Sequence, residues 1–367
     1  MYICHVITTI ERGDAENAVL ALAREQVRRG YMVEIVPIKG SLDLEQEMLA
    51  TGIVVNKNLL NKNLLVQIFR LQKVIGRKSI DLVHAHLPRA EIICRLVLLG
   101  GQTKPFFVTR HNAEPFLKRR FLGASSIVSR WVVGKSSAII AISEEVAKYL
   151  DFSQELAKRS ITQVIYYGYQ RRYSEANPHM TRKQSPNSGF ELVTISRLTA
   201  QKNLKFAINL IGALNESQIR ARLTIVGSGP LEFALKEYTS QMGLSDVVIY
   251  VGKTKDVFSA LKGKDLFLMT SNYEGFGLAV LEAIDFGLPV CAPGHSAFLE
   301  VLGSTDLGLY APNSAQSLFS KVQQLLTDPD LAQQLKKGQQ QRLDLFSIEK
   351  YFYAHHETYR LGSTPNV

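Results

Sequence analysis

The stretch YEGFGLAVLEAIDFG, Tyr273 to Gly287, decides how this chain reads. It follows Leu266–Met269 of KDLFLMTS, an apolar run with the character of a strand. Beyond the glycines, Leu278, Leu281, Ala283 and Ile284 recur at helical spacing. The pattern predicts a strand, a glycine-bearing turn, and a helix opening near Gly277. A helix starting at the carboxyl end of a strand exposes backbone N–H groups and the positive end of its dipole, a seat for phosphate. Glycine at 275 and 277 lets the backbone come close to a ligand. Glu274 and Glu282 bracket the turn. Eight residues of helix would set them roughly 12 Å apart along the axis. Glycosidase acid/base pairs sit about 5–10 Å apart, so these two suit opposite ends of one extended ligand. An ordinary strand-to-helix turn with two solvated glutamates fits the spacing as well.

Outward from this turn, the second half is a series of strands with helices between: Phe190–Ile195, Arg222–Val226, Val247–Val251, Leu266–Met269, Pro289–Ala292 and Gly308–Tyr310. Upstream, Gln170 to Gly189 (QRRYSEANPHMTRKQSPNSG) has no apolar periodicity and reads as a boundary. The first half repeats the strand–helix theme. Strands are expected at Tyr2–Thr8, Met32–Pro37, Gly52–Val55, Ile80–Ala85, Pro105–Thr109, Ala138–Ile142 and Gln163–Tyr166, with helices at Ala15–Arg29, Leu60–Ile75 and Arg89–Leu99. The expected class is α/β, two doubly wound domains with a cleft between the carboxyl ends of their sheets. The divisions are a first domain over 1–170, a linker over 171–189, a second domain over 190–346, and an aromatic-rich C-terminal helix over 347–367 that packs back on the first domain.

Composition narrows the function. The chain has 367 residues, 46% hydrophobic and 21% charged, with no run of about 18 apolar residues and no signal-peptide pattern at its start. Cys4, Cys94 and Cys291 are scattered in apolar segments, which points to buried thiols and a cytoplasmic location. No His/Cys cluster has zinc spacing, so no metal is expected. The net charge of +10 is uneven: residues 1–170 carry 23 Lys+Arg against 15 Asp+Glu. A basic first half suits an anionic partner, a lipid surface or a phosphorylated acceptor before nucleic acid. Lys118-Arg119-Arg120, beside Phe116, Phe121 and Trp131, would be a contact with the inner face of an anionic membrane, or a merely solvated face.

A dehydrogenase would need G-x-G-x-x-G after a strand; TTIERGDAEN lacks it, and VGSGPLEF has Glu232 where the third glycine belongs. No Walker lysine loop or G-x-S-x-G elbow occurs. What the second half offers is cations near strand ends: Arg197 after ELVTIS and Lys202 five residues on. Fixed cations and helix-mouth N–H groups neutralise a departing diphosphate.

RLTAQKN (Arg197–Asn203), VGSGP (Val226–Pro230) and EGFGLAVLEA (Glu274–Ala283) resemble the signature segments of the family 4 glycosyltransferases of the GT-B fold. GDAEN (Gly13–Asn17), HAHLPRAE (His84–Glu91), TRHN (Thr109–Asn112) and AISEEV (Ala141–Val146) resemble family segments in the same order. The resemblance implies retaining, metal-independent transfer of a sugar from a nucleotide sugar, UDP-linked by preference, to a glycan or lipid-linked acceptor, with no cofactor. It implies that Glu274 binds donor-sugar hydroxyls, with backbone N–H groups of Gly275, Phe276, Gly277 and Leu278 on sugar and phosphate, and that Glu282 binds the ribose. Arg197 and Lys202 would clamp the diphosphate, Gly13 would approach it from the first domain, and His111 would stand beside the reacting centre. A sugar-nucleotide epimerase of the same fold and a non-catalytic nucleotide-sugar-binding protein are the alternatives. Two departures stand out: Gly13 is followed by Asp14 instead of a second glycine, and the inter-domain strand ends YYGYQ (Tyr166–Gln170) where Pro-Asn-Gly and an acid are usual.

Overall fold

The computed structural model describes residues 1–101, 104–117, 122–157, 161–172, 189–254 and 256–363. The chain divides into two compact units, one of Met1–Gln170 with Phe346–Val367, the other of Arg171–Leu345. Of the stretch read as a linker, residues 173–188 lie outside the described residues.

The first unit holds a seven-stranded sheet: β1 (Tyr2–Ile7), β2 (Met32–Pro37), β3 (Val54–Val55), β4 (Leu82–His86), β5 (Phe106–Arg110), β6 (Ala138–Ala141) and β7 (Thr162–Val164). The second holds six strands: β8 (Phe190–Ile195), β9 (Ala221–Val226), β10 (Val248–Gly252), β11 (Leu266–Leu268), β12 (Val290–Pro293) and β13 (Leu309–Tyr310). Every described pairing is parallel, with helices between successive strands. Parallel strands covered on both faces read as unbroken apolar runs, which is why the strands were legible in sequence. The spatial orders are β3-β2-β1-β4-β5-β6-β7 and β10-β9-β8-β11-β12-β13. In each sheet the order reverses once, at β1/β4 and at β8/β11. Those switch points are where doubly wound sheets bind ligands, at the carboxyl ends of the strands.

One element starts later than the apolar pattern predicts. Helix Leu64–Ile75 replaces the expected Leu60–Ile75, because the Asn63 side chain accepts the Val66 N–H at 3.0 Å and caps it there. The C-terminal helix Ile348–Ser363 lies with the first unit. Its Tyr353 hydroxyl accepts from Arg29 at 2.6 Å, and the Tyr169 N–H donates to the Phe346 carbonyl at 2.6 Å. Gly168 permits this fit: a Cβ there would lie 2.6 Å from the Cβ of Tyr351.

Candidate functional site

In the second unit the site forms at the carboxyl ends of β8 and β11. Gly277 caps helix Leu278–Phe286 with φ 95°, a left-handed conformation that glycine adopts without penalty, and no side chain caps the helix. Phe276 is buried behind it and Gly275 is half-buried. Glu274 precedes the helix, so it and Glu282 are not separated by eight helical residues as the spacing assumed. Glu282 stands half-buried in the second turn.

Lys202 ends a 3-10 turn, Ala200–Lys202, after which Asn203 takes a left-handed conformation and the helix Leu204–Glu216 begins. Its Nζ meets Glu274 Oε2 at 2.5 Å, an ion pair buried on both sides. Two loops are stitched around that pair. The Thr270 hydroxyl donates to the Lys202 carbonyl at 3.0 Å, and the Asn272 N–H donates to the Gln201 carbonyl at 2.8 Å. Gln201 in turn donates its side-chain amide to the Tyr273 carbonyl at 3.0 Å. Lys202 therefore positions a carboxylate, while Arg197 is exposed; the two cations occupy different environments. The VGSGP loop backs this arrangement. A Cβ on Gly227 (φ 137°) would fall 1.9 Å from the Ser196 carbonyl oxygen, and one on Gly229 would fall 2.5 Å from that of Leu198. These glycines serve loop packing.

Sequence reasoning missed a set of hydroxyls here. Ser196, Thr199 and Ser271 have buried oxygens with no hydrogen-bond partner among the described residues. An unpaired buried hydroxyl costs about 1–3 kcal/mol, and a polar ligand would satisfy it. The available signal was their position, next to the ends of adjacent strands β8 and β11.

In the first unit, Gly13 lies in extended backbone at the start of helix Asp14–Arg28. The Glu16 carboxylate comes close to it: its Oε2 would stand 2.7 Å from a Cβ on Gly13. A carboxylate of the chain itself thus lies beside the glycine expected to approach phosphate. His111 follows β5, and both of its ring nitrogens are engaged: Nε2 with His86 Nδ1 at 3.2 Å, Nδ1 with the Tyr167 hydroxyl at 2.5 Å. His86 Nε2 meets His5 Nδ1 at 3.0 Å, and His5 Nε2 meets Gln26 Oε1 at 2.9 Å. His84 bonds Tyr359 and Thr109, each at 2.7 Å. Burial pushes His5 down to about 4 and His111 to about 3, and holds His84 and His86 well below their ordinary value. These rings are neutral at pH 7.

One ring nitrogen each of His5, His84 and His86 lies within 4.8 Å of the others, a grouping that could hold a metal ion. Spacing along the chain could not disclose it, because β1 and β4 are 75 residues apart yet adjacent in the sheet. All six nitrogens already have polar partners.

The expected basic surface changes character. Phe116 is buried, with the Arg110 guanidinium 4.3 Å over its ring, and belongs to the core. Lys118, Arg119, Arg120 and Phe121 lie outside the described residues. Trp131 is partly exposed under Arg95, and Leu65 and Phe69 protrude from helix Leu64–Ile75.

Comparison with known proteins matches the two units separately. Residues 15–171 fit the sequence profile described as Glycosyltransferase Family 4, and residues 177–342 that of Glycosyl transferases group 1. The chain belongs to the family 4 glycosyltransferases of the GT-B fold. This glycosyltransferase is 23% identical over 290 residues to N-acetyl-alpha-D-glucosaminyl L-malate synthase of Bacillus anthracis, covering 77% of the chain and 74% of that protein. It is 26% identical over 159 residues to a GDP-mannose-dependent alpha-(1-6)-phosphatidylinositol dimannoside mannosyltransferase of Mycobacterium tuberculosis, covering 43% and 41%. Its fold matches the crystal structure of Anabaena HepE in complex with UDP and glucose, with a TM-score of 0.80, 19% identity, and coverage of 98% and 99%.

Proposed function

We propose that this glycosyltransferase moves a sugar, with retention of configuration, from a UDP-linked donor to a glycan or lipid-linked acceptor of cell-surface polysaccharide or glycolipid synthesis. The observation that carries the reading is the second unit's switch point. The uncapped helix mouth at Gly277, the Lys202–Glu274 pair and three unpartnered hydroxyls all lie in the loops that follow β8 and β11. In this reading Glu274 accepts from donor-sugar hydroxyls and Glu282 from the ribose. The diphosphate lies at the Gly277 mouth, where N–H groups and Arg197 offset its charge as the sugar–oxygen bond breaks, with no metal required. HepE, a protein of the same fold, was crystallised with UDP and glucose, which favours uridine as the base.

Thermal-shift measurements with UDP, GDP and ADP test this. A nucleotide at about a hundredfold excess over Kd adds about 2.7 kcal/mol, so UDP is expected to raise Tm by several degrees and ADP not at all. No shift with any of the three would end the proposal; a shift with GDP alone would move the donor.

The acceptor reading places the chain at the inner face of the cytoplasmic membrane. Support comes from the protruding Leu65 and Phe69, with Lys73 4.3 Å over the Phe69 ring, and from the basic first half. The protein is expected to sediment with phosphatidylglycerol-containing vesicles and not with pure phosphatidylcholine, and to be released by salt. Equal partitioning to both would remove the membrane from the reading.

A further inference from the structure

Where the chain leaves β12 in the second unit, only Gly294 to Ser296 separate the strand from the short helix Ala297–Leu302. Both ends of this turn are held. The Gly294 N–H donates to the Tyr310 carbonyl of β13 at 2.8 Å, and the His295 N–H to the Pro293 carbonyl at 2.8 Å. On the far side Ala297 and Phe298 are fully buried. The change of direction falls on Ser296, at φ 54° and ψ −149°. That combination borders a region all but reserved for glycine, which has no Cβ to collide with the backbone. Such strain persists where something offsets it, and it gathers at ligand-binding sites. Leu87, also at positive φ (72°) before a helix, packs its side chain with the apolar core of the first unit. Ser296 has no such compensation inside the protein. It is half-exposed, and the usual reason for a serine ahead of a helix is missing: its hydroxyl caps nothing and has no other partner among the described residues. Glycine would hold the same turn without strain, so the hydroxyl is the only group here for which a ligand could compensate.

The neighbours of Ser296 say which ligand. Phe298, two residues on, brings Cε1 to 3.7 Å from the point where a Cβ on Gly277 would stand, and Glu274 Cγ lies 3.6 Å from the same point. The Ser296 turn thus leads directly into the ring packed against the Gly277 turn, on β12, the strand paired with β11. We propose that Ser296 is a donor-contacting residue whose hydroxyl bonds an oxygen of the nucleotide sugar, on the sugar itself or on the phosphate next to it. The inference deepens the transferase reading and rests on it. It adds the end of β12 to those of β8 and β11 as a support for the donor.

Two variants separate the hydroxyl from the backbone. Ser296→Ala keeps the Cβ and its strain and deletes the hydroxyl; Ser296→Gly deletes both. Titration calorimetry of the full-length protein uses UDP-glucose, UDP-N-acetylglucosamine and GDP-mannose, with UDP and GDP alone as controls, beside thermal melts without ligand. Both variants are expected to bind the sugar nucleotide that the wild type binds about five- to tenfold more weakly, the loss of one hydrogen bond. Ser296→Gly is expected to melt about 2–4 °C above Ser296→Ala. Unchanged binding of the bare nucleotide places the contact on the sugar, and an equal loss places it on the phosphate; either supports the proposal. A loss in Ser296→Gly alone overturns it, because backbone stiffness and not the hydroxyl would then be the cause. Equal melting of the two variants overturns it as well, since the turn would hold no strain to offset. A wild type that binds none of the five ligands fails the donor reading and this contact with it. Wild-type binding that neither variant weakens fails this contact alone.

Discussion

Glu274→Ala is expected to lower transfer by about two to three orders of magnitude, the usual cost of losing a group that bonds the reacting sugar. The structure adds a second consequence. Lys202 sits buried against Glu274, and deleting one member of a buried pair strands the other charge at a cost of about 3–5 kcal/mol. Lost stability could therefore pass for lost chemistry. The double variant Lys202→Met with Glu274→Ala separates them. It removes both charges, so Tm should recover most of the deficit, while turnover should stay as low as in the single variant. Donor titrations followed by kcat and thermal melts are the two readouts. If the double variant regains activity together with Tm, Glu274 is only the counter-ion of Lys202 and binds no sugar.

Acid should dismantle the first unit before the second. His5, His84, His86, His111 and His355 are all buried there, and burial depresses every one below its ordinary 6.5, His355 to about 3. A histidine depressed in the folded state contributes stability that is complete above pH 6.5. That stability is lost as pH falls toward the folded value, at about 1.4 kcal/mol per pH unit per proton. Glu91 works in the opposite sense. Burial raises it to about 7, so protonation between pH 7 and its ordinary 4.5 relieves strain and offsets about one proton. The remainder is a loss of about 5 kcal/mol per pH unit, which exhausts a typical 5–15 kcal/mol domain within one to three units below pH 6.5. The only tryptophan, Trp131, lies in the first unit, so its fluorescence reports that unit alone. Among the described residues of the second unit no histidine is buried. A fluorescence midpoint near pH 5 with multi-proton steepness, ahead of the loss of circular dichroism from the second unit, is the expected outcome. A shallow one-proton transition below pH 4 would mean that the cluster is not held neutral.

Much of this was legible in the residues and some could not have been. The turn around Gly277 announced itself because its glycines separate two patterns of different period, a short apolar run and a helical repeat. Asn63 is readable as a cap, yet Leu60 lies upstream of it among apolar residues, so the apolar run alone places the helix start too early. The Lys202–Glu274 pair spans 72 residues, and no local pattern foretells which distant carboxylate an ammonium meets. The histidine chain was hidden more deeply. Its members sit in or just after apolar strands, at positions where one-dimensional reading expects only packing, and they meet because the crossover sets β4 beside β1. Phe116 was misplaced for the converse reason: neighbouring positive charges suggested a surface, while its ring was already taken by Arg110.

The closing helix carries a consequence for how the polypeptide is made. Tyr359 completes the bond to His84, and Tyr351 fills the space left by Gly168, yet both are supplied some 180 or more residues after β7. On the ribosome the amino-terminal half must wait, with part of its interior unsealed, until helix Ile348–Ser363 has been made. Severing the gene after Gln170 would therefore release a fragment that exposes its buried histidines to water, and the natural place to divide this molecule is by excising the middle and rejoining the ends.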